Sequence, residues 1–270
     1  MRTVILGDGE PELAVLGGVH GDEPCGVNAI EAVLDEEPAV QRPVKFVVAN
    51  EQALAAEQRY LEADLNRAFP GDADGETHES RLAAELEAEL ADCTTLSMHS
   101  TQSYGGRFAL INETDDELRR ILSQLTVDAV VDVGVHSRGR LFERVPHTIE
   151  VECGFQGSTA ATEHATDLVW EFLGATGAVP AEEKPAEDVP LFKLNRQIPK
   201  REGSSYRVYA SNFERVAEGE AFAAADGEDV TAEEAFYPVL LSAYGYESVF
   251  GYTAERLGTV SGAELQRKSV

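Results

Sequence analysis

Leu13-Ala14-Val15-Leu16-Gly17-Gly18-Val19-His20-Gly21-Asp22-Glu23-Pro24 is the stretch on which the fold turns. Its apolar half has the length of a buried strand. From Pro24 to Leu34, Val27, Ile30 and Leu34 recur at helical spacing. A second apolar run follows at Val44–Asn50. Strand, helix, strand in that order predicts a parallel or mixed sheet with helices packed against it. His20 and Glu23 sit at the junction. A histidine ending a buried strand and a glutamate in the first helical turn can face one point. Imidazole nitrogen and carboxylate oxygen are both good zinc ligands. A catalytic centre needs a third protein ligand and an open position for water.

The third ligand is expected at His99. Thr94-Thr95-Leu96-Ser97-Met98-His99-Ser100 reads as a second central strand following an acidic helix, with the histidine at its carboxyl end. Open α/β sheets place ligands outside the carboxyl ends of their strands, so His20 and His99 are expected to meet there. His78 and His164 fall in helical stretches and read as solvated. His136 lies in a Gly/Arg-rich loop, and His147 precedes a later strand from which it could line the site.

Composition narrows the function classes. The 270 residues suit one large domain with a small appendage. Asp and Glu number 49 against 22 Lys and Arg, a net charge of −27, which repels nucleic acid. Lysine occurs only at Lys45, Lys184, Lys193, Lys200 and Lys268. A folded protein this acidic is expected to be adapted to high salt (halophilic), where screening weakens self-repulsion. Cys25, Cys93 and Cys153 form no C-x-x-C pair and read as reduced thiols. No apolar run is long enough for a membrane span and the first residues lack the form of a signal peptide, so the cytoplasm is the expected compartment. A homo-oligomer is compatible with such a chain.

Further along, Glu79–Leu90 is an amphipathic helix with Leu82, Leu86 and Leu90 on one face. Strands are expected at Thr94–His99, Arg107–Asn112, Ala129–Val133 and Thr148–Cys153, with helices near Asp115–Leu125 and Thr159–Leu173. The composition shift at Gly177–Pro190 reads as a linker, and short β-like runs follow at Leu191–Leu194, Tyr206–Ala210 and Val239–Tyr244. The expected division is a catalytic domain at 1–177, a linker at 178–190 and a small β-rich domain at 191–270.

Arg59-Tyr60-Leu61-Glu62-Ala63-Asp64-Leu65-Asn66-Arg67-Ala68-Phe69-Pro70-Gly71 places two arginines and an asparagine before a Pro-Gly turn. Guanidinium forks grip carboxylates in a bidentate way, so this loop points to an anionic substrate. His20-Gly21-Asp22-Glu23, then Asp64-Leu65-Asn66-Arg67-x-Phe69-Pro70-Gly71, then His99, resembles the succinylglutamate desuccinylase/aspartoacylase family. Arg59, five residues before Asp64, is similar to the aspartoacylase branch.

The resemblance implies a zinc-carboxypeptidase-like α/β fold: a mixed sheet flanked by helices, with a small C-terminal β-rich domain. It implies Zn2+ held by His20, Glu23 and His99, and substrate contacts from Arg59, Asn66 and Arg67, with Asp64 supporting the loop. It also implies a general-base glutamate on a late strand. Glu152 fits the family's E-x-G spacing and is preferred; Glu150 fits a gapless comparison. Both point to one strand face. An arginine ahead of the base is expected from among Arg138, Arg140 and Arg144. A C-terminal tyrosine is expected at Tyr246, or else Tyr244. The implied activity is a zinc-dependent amidohydrolase (deacylase) acting on small anionic N-acyl amino acids. A carboxypeptidase-type metallopeptidase and a non-catalytic metal- or anion-binding protein are the alternatives.

Overall fold

The structure is a computed structural model that describes residues 1–112, 115–181 and 188–260. In chain order the elements are β1 (Arg2–Leu6), β2 (Leu13–Gly17), α1 (Cys25–Asp35), β3 (Val44–Val48), α2 (Glu51–Ala55), α3 (His78–Leu90) and β4 (Thr94–Thr101). Then come β5 (Phe108–Ile111), α4 (Asp116–Leu122), β6 (Ala129–Asp132), β7 (Thr148–Phe155) and α5 (Thr159–Ala175). The C-terminal part holds β8 (Pro190–Pro199), β9 (Tyr206–Val208), β10 (Ala221–Ala225), β11 (Glu228–Thr231), β12 (Tyr237–Val239) and β13 (Val249–Thr259).

Ten strands form one mixed sheet in the order β1-β3-β2-β4-β7-β5-β6-β8-β13-β12, and β11-β10-β9 form a separate sheet. Strands β3, β2, β4 and β7 run parallel, and β5 pairs antiparallel to β7. Strand alternation sorts the side chains. Leu13, Val15, Leu96, Met98, Ile149 and Val151 enter the core beneath α1 and α5. Ala14 and Leu16 face the other way, onto Leu82, Leu86 and Leu90 of α3. The stripe read from the sequence is thus the buried face of α3, and Thr77 caps its start by accepting the Ser80 N–H.

The expected mixed α/β architecture is present. Its C-terminal portion is β-rich, but β8, β13 and β12 prolong the main sheet through the parallel β6–β8 pair. Only β9–β11 make the small antiparallel sheet. The run expected at Val239–Tyr244 stops at Val239, because Leu240 turns the chain with φ +56°. Strands β1, β10, β11 and β13 are additions to the sequence reading. Most of the expected linker, residues 182–187, lies outside the described residues. No described helix is long and apolar enough to cross a membrane.

Candidate metal centre and active site

Strand β2 ends at Gly17, Gly18 turns at φ +68°, and His20 arrives at the carboxyl end of the sheet. Gly21 must be glycine, since a Cβ there would lie 2.1 Å from the Ala53 carbonyl carbon. Glu23 precedes α1, and His99 stands near the carboxyl end of β4. Ligand atoms of His20, Glu23 and His99 lie within 4.8 Å of one another. None of the three side chains is more than 5% exposed.

The Nδ1 atoms of both imidazoles face the Glu23 carboxylate, His20 at 2.9 Å and His99 at 3.1 Å. The opposite ring nitrogens have their own partners: His20 Nε2 meets Asp64 Oδ1 at 3.2 Å, and His99 Nε2 meets Ser97 Oγ at 3.3 Å. Two nitrogens and a carboxylate on one focus, each ring steadied from behind, form a donor set that suits a divalent metal. Burial pulls the His20 pKa down, but the Glu23 charge and the bonds to Asp64 and Glu23 outweigh it and raise it to about 9. Glu23 is held well below the usual carboxylate range: burial opposes its charge, and His20 and His99 overcome that.

Arg59 donates to Glu23 Oε1 at 2.8 Å and to Asp64 Oδ2 at 3.3 Å. Asn66 Nδ2 faces the Glu150 carboxylate at 3.4 Å, and its Oδ1 accepts the Leu141 N–H at 3.2 Å. The Arg67 side chain donates to the Asn66 carbonyl and makes no ion pair among the described residues, although its charge helps lower the Asp64 pKa. Of the three competing arginines, Arg140 enters the site, paired with Glu150 at 2.5 Å. Arg144 pairs with Glu87 at the surface, and Arg138 is exposed.

Glu150 and Glu152 project from the face of β7 that also bears Ser97 and His99 across the β4 register. Their surroundings differ. Glu150 is fully buried, and although burial opposes its charge, the Arg140 cation, the His99 charge and the Asn66 bond lower its pKa. Glu152 is opposite His99, and its buried Oε2 has no hydrogen-bond partner. Burial, then the Glu23 charge, lift its pKa to about 7. A carboxyl group poised near neutrality is suited to moving a proton. Tyr246 reaches the same space: burial and then the nearby Glu152 charge raise its pKa, and Arg140 and Arg67 oppose them. Tyr244 is exposed and accepts the Tyr206 N–H.

The remaining histidines have other partners. His147 sits at the opposite end of β7, paired with Asp115, and does not line the site. His78 bonds Asn50, His136 the Asn195 carbonyl, and His164 the Cys153 carbonyl.

Glu79 is a supporting residue that the sequence did not reveal. It opens the amphipathic helix read at Glu79–Leu90, yet it is wholly buried. Its carboxylate accepts the N–H groups of Leu61, Glu62 and Ala63 at 2.8, 3.2 and 3.1 Å and the Asn50 amide at 3.2 Å. It thereby fixes the loop between Arg59 and Asp64. Its position in the first turn of an apolar-striped helix was the one available signal. Glu79→Ala strands these donors and is expected to lower stability by about 3 kcal/mol, the scale of losing bonds to a buried charge. Urea titration checks this, and a loss under about 1 kcal/mol would refute it.

A mixed sheet bearing a buried His/Glu/His focus beside a poised carboxyl group defines a candidate metallohydrolase. Residues 9–170 match the succinylglutamate desuccinylase/aspartoacylase catalytic domain, and the chain belongs to that family. Over 117 residues it is 36% identical to the N-acyl-aromatic-L-amino acid amidohydrolase (carboxylate-forming) of Rattus norvegicus, covering 37% of this chain and 36% of the rat protein. It is 28% identical over 225 residues to the N-alpha-acetyl-L-2,4-diaminobutyric acid deacetylase of Halomonas elongata, covering 70% of this chain and 62% of that protein. The chain thus spans less than two thirds of the length of these curated relatives. Among solved structures, the product-bound ectoine utilization protein EutE (DoeB) of Ruegeria pomeroyi superposes with a TM-score of 0.76 at 20% identity, over 95% of this chain and 88% of that one. That likeness supports the fold.

Proposed function

We propose that the protein is a zinc-dependent deacylase that hydrolyses the amide bond of small N-acyl amino acids. The observation that carries this reading is the Glu152 carboxyl group, its buried Oε2 without a partner and its pKa raised to about 7, beside the His20/Glu23/His99 focus. Zinc held by those three residues would supply Lewis acidity, polarising the acyl carbonyl and acidifying a water. Glu152 takes the proton from the attacking water and returns it to the departing amine, leaving a carboxylate and an amino acid. Arg59, lying on Glu23, faces the negative charge that develops on the carbonyl oxygen. Asp64 and Ser97 hold the far nitrogens of the two imidazoles, and would thereby orient the rings for a bound metal.

A site this full of acids has little use for an uncommitted guanidinium unless an anion meets it, so Arg67 is assigned to the substrate's α-carboxylate. Tyr246 closes the same side. An N-acyl amino acid should therefore be preferred over its α-amide. Arg67→Ala should reduce that acid-over-amide ratio in kcat/KM by about ten- to a hundredfold. Equal ratios in variant and wild type would leave Arg67 structural. Mass-spectrometric screening of the zinc-loaded protein against N-acyl amino acids tests the reading as a whole. Absence of hydrolysis across the panel would defeat it.

The carboxypeptidase alternative is less well supported because the C-terminal segment crowds the cleft. Ser242 donates to the Gln102 carbonyl and Asn212 to the Ser103 carbonyl, on the loop that follows His99. Free, buried Cys25, Cys93 and Cys153 suit a reducing compartment, and we assign the cytoplasm. The net charge of −27 favours a high-salt setting. Melting temperature should rise as potassium chloride goes from low to molar concentration, because screening relieves repulsion among the acids. A flat or falling trend would remove the high-salt reading alone.

A further inference from the structure

Three guanidinium groups reach the site, and they are not equally available. Arg59 is committed to Glu23 and Asp64. Arg140 is committed to Glu150 through a close ion pair. Arg67 alone of the three makes no close ion pair among the described residues; its side chain donates to the Asn66 carbonyl, and the charge of Asp64 acts on it at longer range. Asn66, the neutral donor beside them, is committed too, with its Nδ2 on Glu150 and its Oδ1 on the Leu141 N–H.

We propose that Glu150 is a specificity-determining residue: by holding Arg140 in an ion pair, it restricts the site to N-acyl amino acids that carry a single carboxylate. The inference rests on the deacylase reading and names the substrate class within it. One free guanidinium can receive one carboxylate in bidentate fashion. A second carboxylate, as in an N-acyl aspartate or glutamate, finds Arg140 neutralised. It would be buried without a free cation to balance it, a costly arrangement in a low-dielectric site. Drawing Arg140 away would leave Glu150 buried without its cation, which is among the costliest changes a protein interior can undergo. The Arg140 Nε–H has no partner. It can donate to a neutral oxygen, such as a side-chain amide or carbonyl, without disturbing the ion pair.

The test uses pairs of near-identical shape: N-acetylasparagine against N-acetylaspartate, and N-acetylglutamine against N-acetylglutamate. For the zinc-loaded wild type in molar salt, kcat/KM should favour the neutral member of each pair by about tenfold or more. Glu150→Gln releases Arg140 and should lower that ratio about tenfold or invert it. A wild type that prefers the diacids would overturn the proposal. So would an unchanged ratio in a Glu150→Gln protein of wild-type circular dichroism and metal content. If Glu150→Gln does not fold, calorimetric binding of the same compounds to zinc-loaded Glu152→Gln protein reads the charge preference without turnover. Selective binding of the neutral members, even with no hydrolysis of any compound, keeps the charge selectivity and removes only the deacylase reading. Equal or diacid-selective binding removes the selectivity.

Discussion

Replacing Glu152 with Gln is expected to lower turnover by about a hundredfold or more while leaving metal content unchanged, the scale of a lost general acid–base group. The amide keeps the shape of the carboxyl group and can neither take nor deliver the proton. Glu152 is the right target because its Oε2 is buried without a partner, whereas Glu150 is neutralised by Arg140. Glu150→Gln should keep hydrolysing monocarboxylate substrates. The decisive comparison is single-turnover rates for both variants at matched zinc occupancy. Loss of turnover in Glu150→Gln with retention in Glu152→Gln would move the base to residue 150.

His99→Ala removes one of three converging ligand groups and should weaken metal binding by more than about a hundredfold. Loss of an outer partner alone typically costs about 10–100-fold. Elemental analysis after dialysis against a chelator measures this, and full occupancy in the variant would contradict the ligand assignment. In wild type the metal must displace a proton from His20, whose pKa is raised to about 9 in the metal-free protein. The raised value means the protonated, non-ligating form prevails below pH 9. Affinity should therefore fall about tenfold for each unit of acidification below that pH. A pH-independent dissociation constant between pH 6 and 8 would show that His20 is not the titrating ligand.

The sequence is informative where periodicity and chemistry coincide. The Leu13–Val19 run, the α3 stripe and the strand ending at His99 each have one physical solution, so the core and the convergence of His20, Glu23 and His99 are legible in the sequence. The preference for Glu152 over Glu150 rests in the sequence on the E-x-G spacing alone, because alternation puts both on one face; in the structure the tertiary partners of Glu150 set the two apart. Arg140 could not be separated from Arg138 and Arg144 for the same reason: only its tertiary pairing with Glu150 on β7 sets it apart. Glu79 was hidden because a buried, fully bonded carboxylate is written in the chain as any surface glutamate is. In the C-terminal part, strand β13 was missed because its residues Glu255, Arg256 and Leu257 are exposed and blur the expected alternation.

The insertion of β7 between β4 and β5 bears on how the molecule comes to be made. Strands β5 and β6 are synthesised before β7, yet β7 is what joins β5 to β4. A nascent chain that stops short of Thr148 therefore leaves β4 and β5 without the strand that joins them, each edge a template for unwanted pairing. Such distant pairings raise the contact order and slow folding. His20, Glu23 and His99 all belong to the earlier half, on segments that pair with one another without β7. The His/Glu/His focus can thus assemble in the chain before Glu152 arrives, so that under the proposed function ion capture would precede catalytic competence during biogenesis.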